Sequence, residues 1–437
     1  MDGQASARRL DHFLIGALVA LCFICSLVPT TFHMGELGPE AGHQIAEGSL
    51  LRQLQFGTIF LTAGWLAYRH PVEALAIFRR MNPFLILLLI YCAASIAWSP
   101  APNVTVKRVI LLGGLLLTGI VISPPIARPR QFSHALLGTL SALVVVSAFV
   151  AVALPHIGVD LFLDGAWRGI MWQKNLLGAV AGLCVMLWLR ECMERRLPLG
   201  RTVAATLFSL FVLFMSKSTT SMVVTVVGIA IYLALRQRWV RDSHAGLIVS
   251  LMGLSLLVAL TYVFYIATGR LPTWQDVISP IATLLNKSPD LTGRTEIWRL
   301  VLVAARQHLT FGIGYGAFWI GEGGPAQFIA DEFGWMPSHG HNGYIDLLNE
   351  IGIVGLVLFI GLLLWHLVSL FLLMRVDRDE AALHLSILVL MVISNFSESQ
   401  FLRDVSLQNM VLIFSSVTVS ARLQLARDPR RAGRRLE

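Results

Sequence analysis

Long apolar segments dominate this sequence and limit what it can fold into. Hydrophobic residues make up 56% of the chain and charged residues only 14%, against about 25% charged in a soluble domain. A helix that crosses a bilayer needs about 20 apolar residues. We count twelve such segments, near residues 12–30, 53–68, 83–98, 108–125, 133–154, 170–189, 202–216, 220–235, 245–266, 351–374, 381–397 and 404–421. The period-two alternation of a membrane β-barrel is absent from them. We therefore predict an all-α polytopic membrane protein with about 12 transmembrane helices in one membrane domain, residues 1–437.

Basic residues alternate between the connecting segments in a way that predicts orientation. With the N-terminus inside, every inward connection is arginine-rich, as the positive-inside rule requires. These inward residues are Arg8, Arg9, Arg69, Arg79, Arg80, Arg128, Arg130, Arg190, Arg195, Arg196, Arg201, Arg236, Arg238, Arg241, Arg375 and Arg378. Both termini are predicted to be cytoplasmic, with residues 425–437 as a basic tail. Arginines near anionic lipid account for the net charge of +8, so no nucleic-acid partner is expected.

The five cysteines lie in predicted spans or at a cytoplasmic edge. That placement predicts neither a disulfide framework nor a cysteine metal site. No clear small-residue cleavage site follows the first apolar segment, so we expect it to be a retained helix.

One long connection, residues 267–350, interrupts the spans on the predicted outer side. Long connections without a role are uncommon, so we expect this periplasmic loop to be functional and to contain short helices. One amphipathic helix is predicted to begin near Thr292 and run to about His308, capped by Gly293 or Thr295. The glycines of Gly312-x-Gly314-x-Gly316 follow no parallel strand and lack a Walker lysine. They indicate a tight turn rather than a nucleotide site.

The end of this loop carries ionisable and amide side chains at a membrane boundary: His339, His341, Asn342 and Glu350. Such groups are costly at that depth unless they serve a site. His341 suits general acid or base catalysis, since an unperturbed histidine has a pKa near 6.5. The plainer alternatives are a solvated loop histidine or a helix cap shared with Asn342. Glu350 either orients His341 or caps the helix. A zinc site is not expected, because two histidines two residues apart have no obvious third ligand.

Several cations share the outer side with these histidines. Arginine binds phosphate through a planar fork and lysine as a point charge, so a group of them suits an anionic lipid headgroup such as a pyrophosphate. The candidates are Arg168, Lys174, Lys217 and Arg294; His339, Asn342 and Arg403 are predicted as acceptor-binding or supporting residues. Arg168 and Lys174 have a second interpretation as anchors that extend to the headgroups. For Arg403 the alternative is a structural ion pair with Glu398 that closes the last hairpin.

In their order and spacing these pieces resemble the bacterial O-antigen ligase and polysaccharide polymerase superfamily, and most closely its exopolysaccharide production (succinoglycan-type) branch. The resemblance covers about residues 85–420. It rests on Ser95-Ile96-Ala97-Trp98-Ser99-Pro100, Arg168-Gly169, Lys174-Asn175-Leu176-Leu177-Gly178, Thr292-Gly293-Arg294-Thr295-Glu296-Ile297-Trp298, Phe311-Gly312-Ile313-Gly314-Tyr315-Gly316, His341-Asn342-Gly343-Tyr344 and Asn395-Phe396-Ser397-Glu398-Ser399.

The resemblance implies a GT-C-type glycosyltransferase that needs no metal or other cofactor. Its donor would be an oligosaccharide on undecaprenyl pyrophosphate. His341 would activate the acceptor hydroxyl, and Arg168 and Arg294 would hold the pyrophosphate. Many relatives carry a basic residue where this chain has Thr219, and Lys217 lies two residues earlier, so the role of Lys217 stays open.

We therefore expect a bacterial inner-membrane polymerase that joins lipid-linked repeat units at the periplasmic face. The alternative within the family is a ligase that transfers glycan to lipid A-core. A transporter of lipid-linked glycan is a third reading, which the outward position of the polar groups disfavours. The expected partners are the lipid-linked oligosaccharide, membrane lipid and other polysaccharide export proteins.

Overall fold

The protein is a bundle of α-helices. The computed structural model describes residues 2–29, 49–163, 165–236 and 294–427. Its helices are α1 Asp2–Leu27, α2 Leu50–Arg69, α3 Pro71–Arg80, α4 Pro83–Ala94, α5 Pro102–Val121, α6 Gln131–Ala153, α7 Pro155–Gly158, α8 Lys174–Glu194, α9 Leu199–Met215, α10 Thr219–Arg236, α11 Arg294–Ala305, α12 Gln327–Phe333, α13 Gly343–Leu373, α14 Arg378–Ser394 and α15 Leu407–Arg427. Two short strands, β1 Val159–Asp160 and β2 Ala166–Trp167, pair antiparallel with Val159 opposite Trp167. The predicted all-α class is confirmed.

Seven of these helices are long and apolar enough to cross a membrane: α1, α5, α6, α8, α10, α13 and α15. An eighth span exists if α3 and the segment Pro83–Ala97, which meet at a bend of 90°, are counted as one. The count of twelve is not confirmed. The helices α9 and α14 have only 17 residues each, and the predicted segment 245–266 lies outside the described residues. Each of the other eleven predicted segments coincides with a helix.

Helix α15 lies at the centre of the bundle, where protein rather than lipid surrounds it. Every residue from Leu407 to Ala421 is buried. Helices packed against each other in a membrane favour small and polar residues, whose hydroxyl groups form bonds between helices. Ser415 accordingly contacts both His366 of α13, at 3.0 Å, and His384 of α14, at 2.7 Å. This packing explains why a spanning helix can carry so many serines and threonines.

Two of the arginines predicted to face inward, Arg130 and Arg190, belong to an ion cluster at one end of the bundle. Arg130, before α6, lies 2.8 Å from Glu194 of α8. Arg190 of α8 lies 2.6 Å from Asp379 and also contacts Glu380 at the start of α14. Three helix ends, those of α6, α8 and α14, are thereby tied together. The clustering fits the predicted orientation, in which this end faces the cytoplasm.

Breaking this ion cluster should destabilise the bundle. Arg190 is buried, and removing one member of a buried ion pair costs about 3–5 kcal/mol because the remaining charge is left uncompensated. We expect Arg190→Met to lower the thermal midpoint in detergent clearly. The control is Arg299→Met, which removes an exposed ion pair with Glu296. Equal midpoints for the two variants would contradict this role of the cluster.

Helix α13 is broken at Gly352, whose backbone has φ +63° and ψ −170°. A Cβ there would lie 2.4 Å from the carbonyl oxygen of Thr310. The N–H groups of Ile313 and Gly314 bond to the carbonyl oxygens of Asn349 and Glu350, each at 3.0 Å. In a continuous helix these two carbonyl oxygens would accept from N–H groups of the next helical turn; here they accept from the glycine-rich turn instead. The predicted tight turn is confirmed. The predicted loop ends earlier than residue 350, because Gly343–Ile351 is already helical.

Substituting Gly352 should be costly, since only glycine readily adopts this backbone conformation. We expect Gly352→Ala to destabilise the protein by about 1–3 kcal/mol or more through strain, with the added clash against Thr310. The matched control is Gly138→Ala in α6, where a Cβ meets nothing within 4 Å. Thermal unfolding in detergent measures both. A neutral Gly352→Ala variant would show that the break is not needed.

Candidate active site

The two predicted histidines lie in a short segment just before α13. Asn342 is the N-cap of that helix, and its side-chain oxygen accepts hydrogen bonds from the N–H groups of Tyr344, at 3.1 Å, and Ile345, at 3.3 Å. The cap satisfies backbone donors that a helix start leaves unpaired. Asn342 thereby fixes the direction in which the histidine segment leaves the span. Its predicted supporting role is local and structural.

His339 and His341 hold each other in place. The Nδ1 atom of His339 accepts a hydrogen bond from the N–H of His341 at 3.1 Å, and the two ring centroids are 4.1 Å apart. His341 adopts a left-handed backbone conformation with φ +53°. Its own Nδ1 atom is buried and has no hydrogen-bond partner among the described residues. This buried nitrogen is thus the unused one of the two Nδ1 atoms.

Both imidazoles are held in the neutral form. Burial, and after it the nearby positive charges of Arg294 and Arg403, together lower the pKa of His341 to about 4. The same causes, burial first, bring the pKa of His339 well below its ordinary value. A neutral imidazole has a lone pair that can accept a proton or bind a metal. At neutral pH both chemistries are therefore open to this pair.

Arg294 and Arg403 connect the histidines to the segment between α14 and α15, which we call the 395–406 connection. The guanidinium group of Arg294 donates to the carbonyl oxygen of Ser397 at 3.0 Å. That of Arg403 donates to the carbonyl oxygen of Ser338 at 2.8 Å. Two cations are thus held beside the neutral histidines. Arg294 is the first residue of α11, so Thr295 lies inside the helix instead of capping it, and Gly293 is outside the described residues.

Glu398 is the third group at the histidines, and its role differs from the predicted ion pair with Arg403. One carboxylate oxygen accepts from the side-chain nitrogen of Asn175 at 2.7 Å and lies 4.0 Å from Arg294. The other oxygen is buried and lacks a hydrogen-bond partner in the described part of the chain. Burial raises the pKa of this carboxyl group. His339, His341 and Glu398 each offer a donor atom within 4.8 Å of the others. Glu398 is therefore a potential third ligand, which was not obvious from the sequence.

The 395–406 connection reaches the histidines because glycine allows a close approach. The N–H of Gly343 donates to the carbonyl oxygens of Asn395, at 2.9 Å, and Glu398, at 3.2 Å. A Cβ at Gly343 would lie 2.3 Å from the Asn395 amide. Glu398, which follows His341 by 57 positions in the sequence, is thereby brought beside it. The sequence signal for this contact was Gly343, but a glycine after Asn342 looks like part of an ordinary helix start.

Glu350 does not orient His341. Glu350 lies two turns further along α13, and its carboxylate accepts a hydrogen bond from the N–H of Gly316 at 3.0 Å. Glu350 lines a pocket with three other charged residues, Arg108, Asp346 and Arg403.

Two charged residues of this pocket were not predicted. Asp346 accepts hydrogen bonds from the indole N–H of Trp319 and the N–H of Gly340, both at 3.0 Å, and so anchors the histidine segment. Arg108 lies 3.1 Å from Asp404. We did not predict Arg108 or Asp346; a charge within the apolar segment 108–125 was the available signal for Arg108.

The remaining predicted cations are spread around the site. The side chain of Arg168 donates to the carbonyl oxygen of Ile157 at 2.8 Å, which closes the β1–β2 hairpin. Lys174 begins α8, next to the residue that bonds Glu398. Lys217 is exposed, with φ +49°, in the turn before α10. A cleft beside Glu398 is lined by Asn175, Ser218, Thr220, Ser221 and Gln408, so this turn adjoins the site. Pyrophosphate binding by these three residues stays a prediction.

The fold and the site together define a polytopic membrane protein with a histidine–arginine site at one end of its helical bundle. Comparison with known proteins shows what the chain is similar to. The O-antigen ligase family model, Wzy_C, matches residues 204–360, a range that holds Lys217, Arg294 and both histidines. The exopolysaccharide production protein ExoQ of Rhizobium meliloti (strain 1021) is 28% identical over 269 residues, which are 58% of this chain and 59% of that protein. The predicted resemblance to the O-antigen ligase and polymerase family is confirmed.

The cap of α13 offers a direct test of how the histidine segment is held. We expect Asn342→Ala to destabilise the protein by about 1 kcal/mol, because the N–H groups of Tyr344 and Ile345 lose their acceptor. Asn342→Asp keeps that acceptor and should stay close to the parent chain. Thermal unfolding in detergent compares the two. A loss of the same size in both variants would argue against a capping role.

Proposed function

We propose that this protein is a membrane glycosyltransferase that joins undecaprenyl-pyrophosphate-linked oligosaccharide units into an exopolysaccharide. The observation that carries the proposal is a neutral histidine pair beside two guanidinium groups at the end of a spanning helix. The O-antigen ligase family match and the similarity to an exopolysaccharide production protein support it. We place the reaction at the periplasmic face of the bacterial inner membrane, with both termini cytoplasmic.

The chemistry needs a base and a stabilised leaving group. The acceptor hydroxyl oxygen forms a bond to the anomeric carbon of the donor while the bond from that carbon to the pyrophosphate oxygen breaks. His341 takes the hydroxyl proton on the ring nitrogen that carries its lone pair, and undecaprenyl pyrophosphate departs. Proton transfer to a positioned histidine contributes about 10²–10⁴-fold to such reactions. Positioning and fixed charges supply the rest, so we expect the reaction to need no metal.

The two arginines at the histidines are our first candidates for binding the pyrophosphate. Arg294 lies at the N-terminus of α11, where the backbone N–H groups and the helix dipole also favour an anion. Arg403 was predicted only as a supporting residue, and its position beside His339 makes it a second pyrophosphate ligand. Lys174, Lys217 and Arg168 stay candidates for the outer part of the same anion. His339 positions His341 through their hydrogen bond.

Orientation in the membrane follows from the two ends of the bundle. The ion cluster of Arg130 and Arg190 lies at the end that the basic residues assign to the cytoplasm. The histidines lie at the opposite end of the spans, at the start of α13. A lipid-linked donor held at one depth in the outer leaflet would present its pyrophosphate there. A GT-C-type bundle with an outward site would fit this arrangement.

A ligase that transfers glycan to lipid A-core is the second candidate function. It is favoured by the family match, whose description is that of an O-antigen ligase. Both activities use the same donor and the same base, and they differ in the acceptor. The identity of the acceptor therefore decides between them.

Glycan transfer by the purified protein tests the proposal. With synthetic undecaprenyl-pyrophosphate oligosaccharide as donor and acceptor, we expect a ladder of lengthened lipid-linked glycan that EDTA does not change. His341→Ala should lower the rate by about 10²–10⁴-fold, because the base is removed. The matched control is His308→Ala, in the turn that follows α11, away from the site.

Each result has a distinct meaning. Transfer to added lipid A-core without a ladder would make the protein a ligase. Equal rates for His341→Ala and His308→Ala would exclude His341 as the base. Transfer that stops in EDTA would overturn metal independence, and no transfer to either acceptor would overturn the glycosyltransferase assignment.

A further inference from the structure

His339, His341 and Glu398 form a set of donors that the proposed transfer reaction does not fully use. Their donor atoms lie within 4.8 Å of one another. In tetrahedral coordination with bonds of about 2.0–2.2 Å, two donors on one zinc ion lie about 3.3–3.6 Å apart. Side-chain movements of about 1 Å would therefore bring all three onto a single ion. Two histidines and one glutamate are also a ligand set that zinc accepts in proteins.

Two of the three ligands have a buried atom without a hydrogen-bond partner in the described residues. These atoms are Nδ1 of His341 and the second carboxylate oxygen of Glu398. Glu398 is only 8% exposed, and its first oxygen is already engaged by Asn175. An unpaired buried polar atom is unfavourable. A bound ion would satisfy both atoms at once without breaking the bond to Asn175.

The remaining ligand, His339, must give up its present hydrogen bond to bind a metal. Its Nδ1 atom accepts from the N–H of His341, so in the neutral ring the proton lies on Nε2 and the one lone pair lies on Nδ1. His339 would therefore coordinate through Nδ1, or through Nε2 after its ring proton moves to Nδ1. Either change releases the N–H of His341.

The arginines at the site limit which ion can bind. Arg294 and Arg403 place positive charge near the donors and so oppose any cation. Hard ions such as Mg²⁺ and Ca²⁺ prefer oxygen ligands and would gain little from two imidazoles. Transition metals that bond strongly to imidazole nitrogen, such as Zn²⁺ and Co²⁺, gain enough to compete. We expect binding weaker than in a closed structural zinc site.

We propose that His339, His341 and Glu398 form a binding site for Zn²⁺ or a similar transition metal, and that the bound metal inhibits the enzyme. The inhibition rests on the proposed function, since the metal would take the lone pair with which His341 accepts the acceptor's proton. The binding itself does not depend on that function. Zinc would then act on this chain as a reversible blocker of a metal-independent transferase.

Zinc binding to the full-length protein in detergent, measured by competition with a chromophoric zinc indicator, tests the site. We expect one Zn²⁺ bound per chain beyond the controls, with His339→Gln and Glu398→Gln each weakening it by about 10–100-fold or more. The matched controls are His308→Gln and Glu296→Gln, which make the same substitutions outside the site. A large excess of Mg²⁺ should not displace the zinc. Thermal unfolding without metal shows whether each variant is folded.

Co²⁺ provides a second readout that separates this site from the cysteines. Cobalt bound by nitrogen and oxygen shows weak visible bands, whereas cobalt bound by thiolate adds an intense near-ultraviolet band. We expect the first spectrum, and its loss in Glu398→Gln. A thiolate band, or zinc affinity equal in all four variants, would overturn the site.

The inhibitory effect is measured separately on the wild-type enzyme. We expect Zn²⁺ to stop glycan transfer and EDTA to restore it fully. Zinc that binds at these residues without slowing transfer would overturn inhibition. If the metal-free protein transfers no glycan at all, the proposed function fails while the binding result still stands or falls on its own.

Discussion

The close contact between α13 and the 395–406 connection is the interaction on which the rest of the site depends. The N–H of Gly343 is shared by two carbonyl oxygens of that connection, and the absence of a Cβ allows the backbones to meet. Through this contact Glu398 and Arg403 reach a histidine segment that is remote in sequence. Asn175 of α8 then joins through Glu398. With Arg294 of α11, which donates to Ser397, four separate parts of the chain become a single site.

The sequence predicted the helices well because contact with lipid demands long apolar segments, as with α6, predicted at 133–154 and found at Gln131–Ala153. It did not predict the break at Gly352, since a glycine in an apolar segment looks the same whether or not the helix continues. The span count of twelve is not confirmed for a similar reason. Apolar composition shows that a segment avoids water, and it does not show that a helix such as α9 is long enough to cross.

Within the site, His341 and Arg294 were predictable because charged or ionisable groups at a membrane boundary are expensive. Glu350 was assigned to His341 because both lie near the start of one helix. Eight residues of helix rise about 12 Å, so Glu350 lies well beyond the cap at Asn342 and faces Gly316 instead. The pairing of Glu398 with Arg294 depends on tertiary contacts across more than a hundred residues. No local pattern in the sequence indicates it.

The break in α13 has a mechanical consequence. Before the break, the carbonyl oxygens of Asn349 and Glu350 accept from the glycine-rich turn; after it, the N–H groups of Ile353 and Val354 donate to the carbonyl oxygens of Leu309 and Thr310. The same short segment therefore holds both sides of the break. A spanning helix tilts when bilayer thickness changes. A tilt of α13 would carry this segment and the helix start at Gly343 with it, so lipid composition should alter the depth of the histidine site more readily than its shape.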